Sequence, residues 1–157
     1  MGEFPRVGSS PTARTMIKIR KILPEDLDRI LEIAKSSFLR PWPKKEFEKY
    51  LEDSFVAEED GKVVGSIVGA TLENQGIIKL IAVEQNYRGK GIGKKLIEFI
   101  LEHFKEKGTR EVIARSRTQN TAGISFLKTF GFEIIKTIEN YYPDGDDAYL
   151  MKKELDG

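Results

Sequence analysis

The stretch from residue 83 to residue 100, VEQNYRGKGIGKKLIEFI, places three glycines within five positions, between an apolar run and a strongly periodic helix pattern. A turn that joins a strand to a helix presents the unpaired N–H groups of the first helical turn, and glycines let an anion approach the backbone closely. Cationic side chains surround the same turn. The stretch therefore predicts a loop that binds a phosphate or pyrophosphate group. Its glycines are Gly89, Gly91 and Gly93, and its cations are Arg88, Lys90, Lys94 and Lys95.

Two well-known phosphate loops do not fit this turn. A P-loop requires a hydroxyl residue after its Gly-Lys pair, and residue 95 is Lys. A dinucleotide fingerprint requires a third glycine, but that position holds Lys94 in one register and Leu96 in the other. A turn that only connects two elements would not ordinarily need three glycines among four cations. The turn is therefore still expected to bind a phosphate group, but in a loop that is neither a P-loop nor a dinucleotide-binding loop.

Composition narrows the classes of protein and partner. The chain has 157 residues, of which 39% are hydrophobic, as expected for one globular domain. Its 26 Lys and Arg and 25 Asp and Glu leave a net charge of +1, so neither nucleic acid nor a membrane surface is an expected partner. With no cysteine and a single histidine, we expect no metal site and no thiolate nucleophile. The apolar runs are too short to cross a bilayer, which favours a cytoplasmic protein.

The order of predicted elements divides the chain into a short extension and one domain. Residues 1–15 lack apolar periodicity and are expected to be a disordered N-terminal extension or a tag, and residues 16–157 form the domain. Within the domain, alternating patterns predict strands and helical spacing predicts helices. Two of the predicted strands form a hairpin within residues 54–74, one on each side of the turn Glu59–Lys62. The other predicted strands are 16–22, 76–83, 110–117, 131–138 and 146–155. The predicted helices are 23–38, a short helix within 44–53, one that follows the glycine turn and ends at Lys107–Gly108, and 120–130.

The glycine turn also carries a resemblance to a known family. Arg88–Gly93 matches the R/Q-x-x-G-x-G/A signature of the GNAT acetyltransferase superfamily, and Asn120–Phe132 resembles the second conserved block of that superfamily. The order of elements agrees with the same superfamily across Met16–Leu155. The resemblance implies an α/β (α+β) protein with the GNAT fold, in which a mixed, mostly antiparallel central sheet of about seven strands is flanked by four helices.

This resemblance implies an activity and a co-substrate. GNAT enzymes move an acetyl group from acetyl-CoA to an amine by direct transfer in a ternary complex, and no metal is involved. The residues implied to bind acetyl-CoA are Ile81, Ala82, Val83, Arg88, Gly89, Lys90, Gly91, Ile92, Gly93, Lys94 and Asn120.

Two further stretches resemble RimI-like and archaeal protein N-terminal (N-alpha) acetyltransferases. These are Arg40-Pro41-Trp42 and the last predicted turn, Asn140–Ala148. The resemblance implies that the two segments face each other over a groove for the N-terminus of a protein or peptide. Packing in the core or in the hairpin is the alternative for Trp42 and for the tyrosines. The residues implied to bind the acceptor are Arg40, Pro41, Trp42, Arg115, Tyr141 and Tyr142.

The sequence departs from the RimI-like pattern at both catalytic positions. Arg115 stands where those enzymes place a glutamate base, and Leu127 stands where they place a tyrosine acid. A guanidinium cannot accept a proton at neutral pH and leucine cannot donate one. We therefore take Tyr142 as the candidate catalytic residue. Glu84 is a second candidate, for which a solvent-facing surface carboxylate is the alternative.

Arg115 and Arg117 also allow a selective role. Guanidinium groups on this strand would favour acidic peptide ends or a small anionic amine by bidentate pairing, unless both simply face solvent. Three functions stay open at this point: a protein N-terminal acetyltransferase, a GNAT enzyme acting on a small amine or a lysine side chain, and a catalytically weak module that binds acetyl-CoA. A monomer, a homodimer and a complex with an auxiliary subunit are all compatible with the sequence.

Overall fold

A computed structural model of the chain describes residues 17–37 and 42–155, apart from the side chains of Ser36 and Ser37. This part of the chain contains seven strands, four α-helices and three short 3-10 turns. The predicted extension 1–15 and the residue at which the predicted domain begins, Met16, lie outside the described residues. The strands are β1 (Ile17–Lys21), β2 (Phe55–Glu59), β3 (Lys62–Leu72), β4 (Gln75–Val83), β5 (Glu111–Arg117), β6 (Glu133–Ile138) and β7 (Ala148–Glu154). The helices are α1 (Leu27–Ser37), α2 (Lys44–Glu48), α3 (Ile92–Glu106) and α4 (Thr121–Thr129).

The seven strands form one sheet in the order β1-β2-β3-β4-β5-β7-β6. Strand β2 pairs antiparallel with β1 and with β3, and β7 pairs antiparallel with β5 and with β6. Strand β4 pairs parallel with β5. The final strand of the chain is therefore inserted between β5 and β6. The predicted fold class, a mixed and mostly antiparallel sheet with four helices, is confirmed.

The chain divides into two compact units, each with its own buried residues. The first unit comprises the chain up to Val68 together with Ile81–Phe99, and the second comprises Gly69–Leu80 and everything from Ile100 onward. In the first unit the large, fully buried side chains are Leu27, Ile30, Ile33, Phe47, Ile67, Ile92, Leu96 and Ile97. In the second unit they are Ile100, Phe104, Phe132 and Met151.

One glycine in each unit allows α3 to lie close to its strand. A Cβ atom on Gly65 of β3 would lie 3.1 Å from the Ala82 carbonyl oxygen and 3.3 Å from Cγ2 of Ile92. A Cβ atom on Gly76 of β4 would lie 2.8 Å from ring carbons of Phe104, a distance that real side chains do not adopt. The absence of a side chain at these two positions therefore sets how closely α3 can lie against its strand within each unit.

The β2–β3 hairpin follows the prediction from Asp60-Gly61. Both residues adopt positive φ, 52° at Asp60 and 79° at Gly61, as a two-residue hairpin turn requires. Strand β2 ends at Glu59 and β3 begins at Lys62, which are paired across the turn. The predicted turn at Glu59–Lys62 is confirmed.

The second predicted helix is shorter than its periodic pattern suggests. Helix α2 ends at Glu48, Tyr50 takes the non-helical angles φ −123° and ψ 22°, and a separate 3-10 turn spans Leu51–Asp53. The hydroxyl of Ser54 donates a hydrogen bond to the carbonyl oxygen of Tyr50. A serine that satisfies this carbonyl competes with the helical backbone, which explains the interruption.

No helix within residues 17–37 and 42–155 has the length and apolar character needed to cross a membrane. The same residues contain no group of three or more His, Asp or Glu side chains arranged to hold a metal ion.

Candidate functional site

The glycine turn of the first unit is an open loop between β4 and α3. Strand β4 ends at Val83, a 3-10 turn spans Gln85–Tyr87, and α3 begins at Ile92. Gly89 and Gly91 have φ values of 80° and 83°, which L-residues with side chains rarely adopt. A Cβ atom on either glycine would meet no atom within 4 Å. The backbone conformation, rather than crowding, therefore calls for glycine, and the space above the loop is free for a ligand.

The N-terminus of α3 faces the end of this loop. The amide of Lys95 donates to the carbonyl oxygen of Gly91 at 3.1 Å, the first helical hydrogen bond, so the preceding amides lack intrahelical partners. The first turn of α3 carries no acidic residue, and α3 is 15 residues long. The side chain of Ile92 is buried and fixes the start of the helix. This arrangement suits a negatively charged group.

Cationic side chains lie around the same loop. The Lys90 ammonium is 5.2 Å from the centroid of the Tyr87 ring, and the Lys62 ammonium is 5.7 Å from the same centroid. Nε of Arg88 donates a hydrogen bond of 2.9 Å to the carbonyl oxygen of Val83. Arg88 thus fastens the loop to the end of β4, a local role that the sequence motif did not indicate. Both lysines add positive charge beside the loop, although Lys62 also lies 3.8 Å from a carboxylate oxygen of Glu84.

Glu84, the second catalytic candidate, is engaged in ion pairs. Its Oε1 accepts a 2.7 Å hydrogen bond from Nη2 of Arg29 and lies 3.8 Å from the Lys62 ammonium, and its side chain is 21% exposed. The hydrogen bond from Arg29 lowers the pKa of the Glu84 carboxyl. Arg29 also donates to the Val63 carbonyl oxygen. Glu84 is therefore a poor base, and it is not the solvent-facing carboxylate that was the alternative expectation.

Trp42 is the described residue of the predicted Arg40-Pro41-Trp42 segment; Arg40 and Pro41 lie outside the described residues. The Trp42 ring is 5.3 Å from the ring of Phe47 and 5.7 Å from that of Tyr50, both measured between centroids. Phe47 is buried, and Trp42 is half-buried. The packing alternative for Trp42 therefore has direct support within the first unit.

In the second unit, β5 continues past the end of its parallel ladder with β4. That ladder runs from Gln75–Glu111 to Ile78–Ala114. On its other side β5 stays paired with β7 as far as Arg117–Ala148. Arg115 is thus the first residue of β5 beyond the β4 ladder.

Arg117 is held by the last hairpin. Its Nη1 donates to both carboxyl oxygens of Asp144, at 3.1 and 2.9 Å, and to Oδ2 of Asp146 at 2.8 Å. Its guanidinium carbon also lies 4.1 Å from the centroid of the Tyr142 ring. The expectation that Arg117 is available to an acidic acceptor is therefore wrong. Two carboxylates 27 and 29 residues away along the chain already neutralise it.

Arg115 has a different environment from its neighbour. Its guanidinium carbon lies 5.5 Å from the centroid of the Tyr141 ring, and Tyr141 is 45% exposed. Its Nε is buried and has no hydrogen-bond partner. The Tyr141 ring in turn meets the Tyr142 ring edge to face, 5.0 Å between centroids. The structure thus brings together three of the predicted acceptor residues: Arg115, Tyr141 and Tyr142.

Tyr142, the catalytic candidate, is half-buried beside Arg117. Burial raises the pKa of the Tyr142 phenol, although the charge of Arg117 partly opposes this effect. Its amide donates to the carbonyl oxygen of Asp146, and its carbonyl oxygen accepts from the amide of Gly145. The hairpin backbone therefore positions a tyrosine that keeps its hydroxyl proton at neutral pH.

Two residues of the second sequence block have structural partners. The side chain of Asn120 caps α4, because its Oδ1 accepts a 3.0 Å hydrogen bond from the Gly123 amide. Leu127, at the position where the RimI-like enzymes have a tyrosine, is a buried residue of α4. A role for Asn120 in cofactor binding stays a prediction.

Comparison with known proteins places this geometry in a family. Residues 27–132 match the model of the acetyltransferase (GNAT) family. An N-alpha-acetyltransferase of Sulfurisphaera tokodaii is 34% identical over 155 residues, which cover 88% of this chain and 93% of the relative.

Two crystal structures show the same fold. Ard1 from Thermoplasma volcanium superposes with a TM-score of 0.85 at 29% identity, covering 90% of this chain and 99% of Ard1. The ribosomal-protein-S18-alanine N-acetyltransferase of Escherichia coli superposes with a TM-score of 0.82 at 26% identity, covering 90% of this chain and 97% of that enzyme. With the family model matching more than half of its length, the chain belongs to the GNAT family of acetyltransferases and is an N-acetyltransferase.

Proposed function

We propose that this enzyme transfers an acetyl group from acetyl-CoA to the α-amine at the N-terminus of proteins or peptides. The names of the relatives support this choice of acceptor, because an N-alpha-acetyltransferase and a ribosomal-protein-alanine N-acetyltransferase are among them. The open glycine loop at the N-terminus of α3 is the observation that supports acetyl-CoA as the acetyl donor.

The glycine loop fits the diphosphate of a CoA thioester. Positive φ angles at Gly89 and Gly91 turn the loop backbone toward open space, and the first amides of α3 have no intrahelical partners. Amides and a helix dipole of this kind bind anions, and Lys90 and Lys94 would add charge. We propose that the strand, loop and helix residues of the predicted cofactor set support this site; they are Ile81, Ala82, Val83, Arg88, Ile92 and Gly93. Asn120, the N-cap of α4, is kept as a proposed cofactor residue.

Acetyl-CoA, when bound, supplies the acetyl group as an activated thioester. The protein must then accommodate an acceptor that is largely a protonated ammonium at neutral pH, and this form cannot attack. Tyr142 can donate a hydrogen bond or a proton from Oη, because burial raises the pKa of its phenol. Because the phenol is protonated at neutral pH, Tyr142 cannot serve as the general base. We propose that water takes the proton of the ammonium and that the free amine then forms the amide bond as the carbon–sulfur bond of the thioester breaks. Tyr142 donates its proton to the departing CoA thiolate and regains one from solvent.

The acceptor class is tested with a matched panel of peptides. Each peptide of five to ten residues is offered with a free α-amine, with a formylated α-amine and a free lysine, and with both amines blocked. The proposal expects acetylation of free α-amines alone, located by fragmentation mass spectrometry of the product. Modification confined to lysine would instead support the alternative of a lysine or small-amine acetyltransferase.

The predicted cytoplasmic location, the absence of nucleic-acid and membrane partners, and the choice between monomer, homodimer and complex stay predictions. So do the domain boundaries and the predicted roles of Arg40, Pro41 and Trp42.

A further inference from the structure

The two arginines of β5 differ in how their charge is balanced. Arg117 donates from a single nitrogen to Asp144 and Asp146, with distances between 2.8 and 3.1 Å. Asp144 and Asp146 of the hairpin are therefore both bonded to Arg117. No described acidic side chain forms an ion pair or a hydrogen bond with Arg115, whose contact is the ring of Tyr141. The second unit thus holds one guanidinium bonded to two carboxylates and, two residues away, one that has no described carboxylate partner.

The environment of Arg115 is costly without an anion. Its Nε is buried and has no hydrogen-bond partner. A buried donor that is left unpaired is unfavourable, and a guanidinium normally offers a planar fork of donors to a carboxylate. Tyr141 supports one side of the guanidinium but supplies no anionic charge. A carboxylate brought by a ligand would pair with the nitrogens of Arg115 and relieve this deficit.

The position of Arg115 leaves it accessible to such a ligand. Arg115 is the first residue of β5 past the parallel ladder with β4, which ends at Ile78–Ala114. From this residue onward, that edge of β5 is no longer occupied by the β4 ladder. Tyr141 beside it is 45% exposed. The Arg115 side chain is itself only half-buried, so an acceptor side chain can reach its guanidinium beside an exposed aromatic ring.

We propose that Arg115 is a specificity-determining residue that selects acceptors with an acidic side chain in their first two residues. The inference rests on the proposed function and specifies its substrate class. The Arg115 guanidinium binds the carboxylate of the acceptor through two charge-assisted hydrogen bonds, while the Tyr141 ring holds the guanidinium in place. Arg117 takes no part in this selection, because its own charge is neutralised by the hairpin.

The experiment measures kcat/KM for isosteric peptide pairs, in which Glu or Asp at position one or two is replaced by Gln or Asn. The wild type is expected to favour the acidic member by about 10- to 100-fold, the range that one charged hydrogen-bonded pair supplies. Arg115→Gln is expected to bring this ratio close to one. Arg115→Lys, which keeps the charge but loses the planar fork, is expected to give an intermediate ratio and guards against a Gln variant that fails to fold.

A control variant and a second readout separate pairing from general electrostatics. Lys136→Gln removes one positive charge from an exposed position on β6 and is expected to leave the ratio unchanged. Fluorescence anisotropy of labelled, already acetylated peptides measures binding without turnover. There the acidic peptide is expected to bind more tightly to the wild type, and Arg115→Gln is expected to abolish the difference.

Each outcome has a distinct meaning. Equal kcat/KM for acidic and neutral members in the wild type would overturn the selectivity and leave the proposed function standing. A preference that survives in Arg115→Gln would overturn the role of Arg115. Turnover of none of the free α-amine peptides would overturn the proposed function, and this inference with it.

Discussion

The guanidinium carbon of Arg117 lies 4.1 Å from the centroid of the Tyr142 ring, and Nη1 of the same side chain is bonded to Asp144 and Asp146. One arginine on β5 therefore fixes both the ring of the proposed proton donor and two acidic residues of its hairpin. The amide of Tyr142, bonded to the Asp146 carbonyl oxygen, completes the arrangement. Arg117 is thus a positioning residue for Tyr142.

The first prediction concerns this ion pair. A double-mutant cycle of Arg117→Gln and Asp144→Asn is expected to give a coupling free energy of about 0.5–1 kcal/mol, since the pair is partly exposed. We also expect kcat to fall more than KM rises in Arg117→Gln, because the proton donor is displaced while the acceptor residues remain. Urea unfolding and steady-state kinetics measure the two effects. Additive single variants with unchanged kcat would count against this role.

The second prediction concerns the hydroxyl of Tyr142. Tyr142→Phe is expected to lower kcat about 100-fold with little change in KM, because it removes the proton donor and keeps the ring. Burial raises the pKa of this phenol above its ordinary value of 10.0, so its ionisation cannot cause a loss of kcat at pH 7–9. Tyr149→Phe on β7 is the matched control for loss of a hydroxyl. Equal kcat in Tyr142→Phe and the wild type would exclude this proton donor.

The third prediction concerns acid stability and the buried carboxylate of Asp26. Burial alone would raise the Asp26 pKa, but hydrogen bonds from Arg20, at 2.8 and 2.9 Å, and from the Leu23 amide, at 2.7 Å, outweigh it and lower the pKa. The stabilisation is therefore complete above the unfolded pKa, near 3.9. It is lost as pH falls through the lower folded value.

Asp26→Asn is accordingly expected to lower the free energy of unfolding by about 2 kcal/mol at pH 7, and the difference should shrink at lower pH. Chemical denaturation at a series of pH values measures it. Asp28→Asn is the matched control, because Asp28 is exposed and its pair with Lys44 should contribute almost nothing. A difference between Asp26→Asn and the wild type that grows as pH falls would contradict the assigned pKa direction.

The fourth prediction concerns the contact of Gly76 with Phe104. Gly76→Ala is expected to destabilise the protein by about 1–3 kcal/mol, because its Cβ would lie 2.8 Å from carbons of the Phe104 ring. Phe104→Leu in the Gly76→Ala background is expected to recover part of that loss, although Phe104→Leu alone destabilises. Thermal unfolding of the wild type, the two single variants and the double variant measures these effects. Changes in stability that simply add in the double variant would argue against the clash.

Local patterns in the sequence predicted most of the fold. Asp60-Gly61 specified the first hairpin, and the glycine turn and Gly108 marked the start and end of α3, because these signals act within a few residues. The insertion of β7 between β5 and β6 depends on pairing between distant segments, and only the family resemblance indicated such a sheet. The interruption after α2 depends on the side chain of Ser54, which competes for a backbone carbonyl.

The candidate site was predictable to a similar extent. The anion-binding loop follows from glycine spacing and neighbouring charge. The neutralisation of Arg117 could not be predicted, because its partners Asp144 and Asp146 lie on a hairpin whose position β7 determines. The Arg29–Glu84 pair was missed for the same reason: its members are 55 residues apart.

Isothermal titration calorimetry with acetyl-CoA tests the central claim, which is that the loop at Gly89 and Gly91 binds the diphosphate. The wild type is expected to bind with a dissociation constant within about 1 µM–1 mM. Gly91→Val, which cannot easily keep a φ of 83°, should bind at least about tenfold more weakly. Gly108→Val, with a φ of 81° at the opposite end of α3, should bind like the wild type. Absence of binding by the wild type, or equal binding by Gly91→Val, would contradict the account.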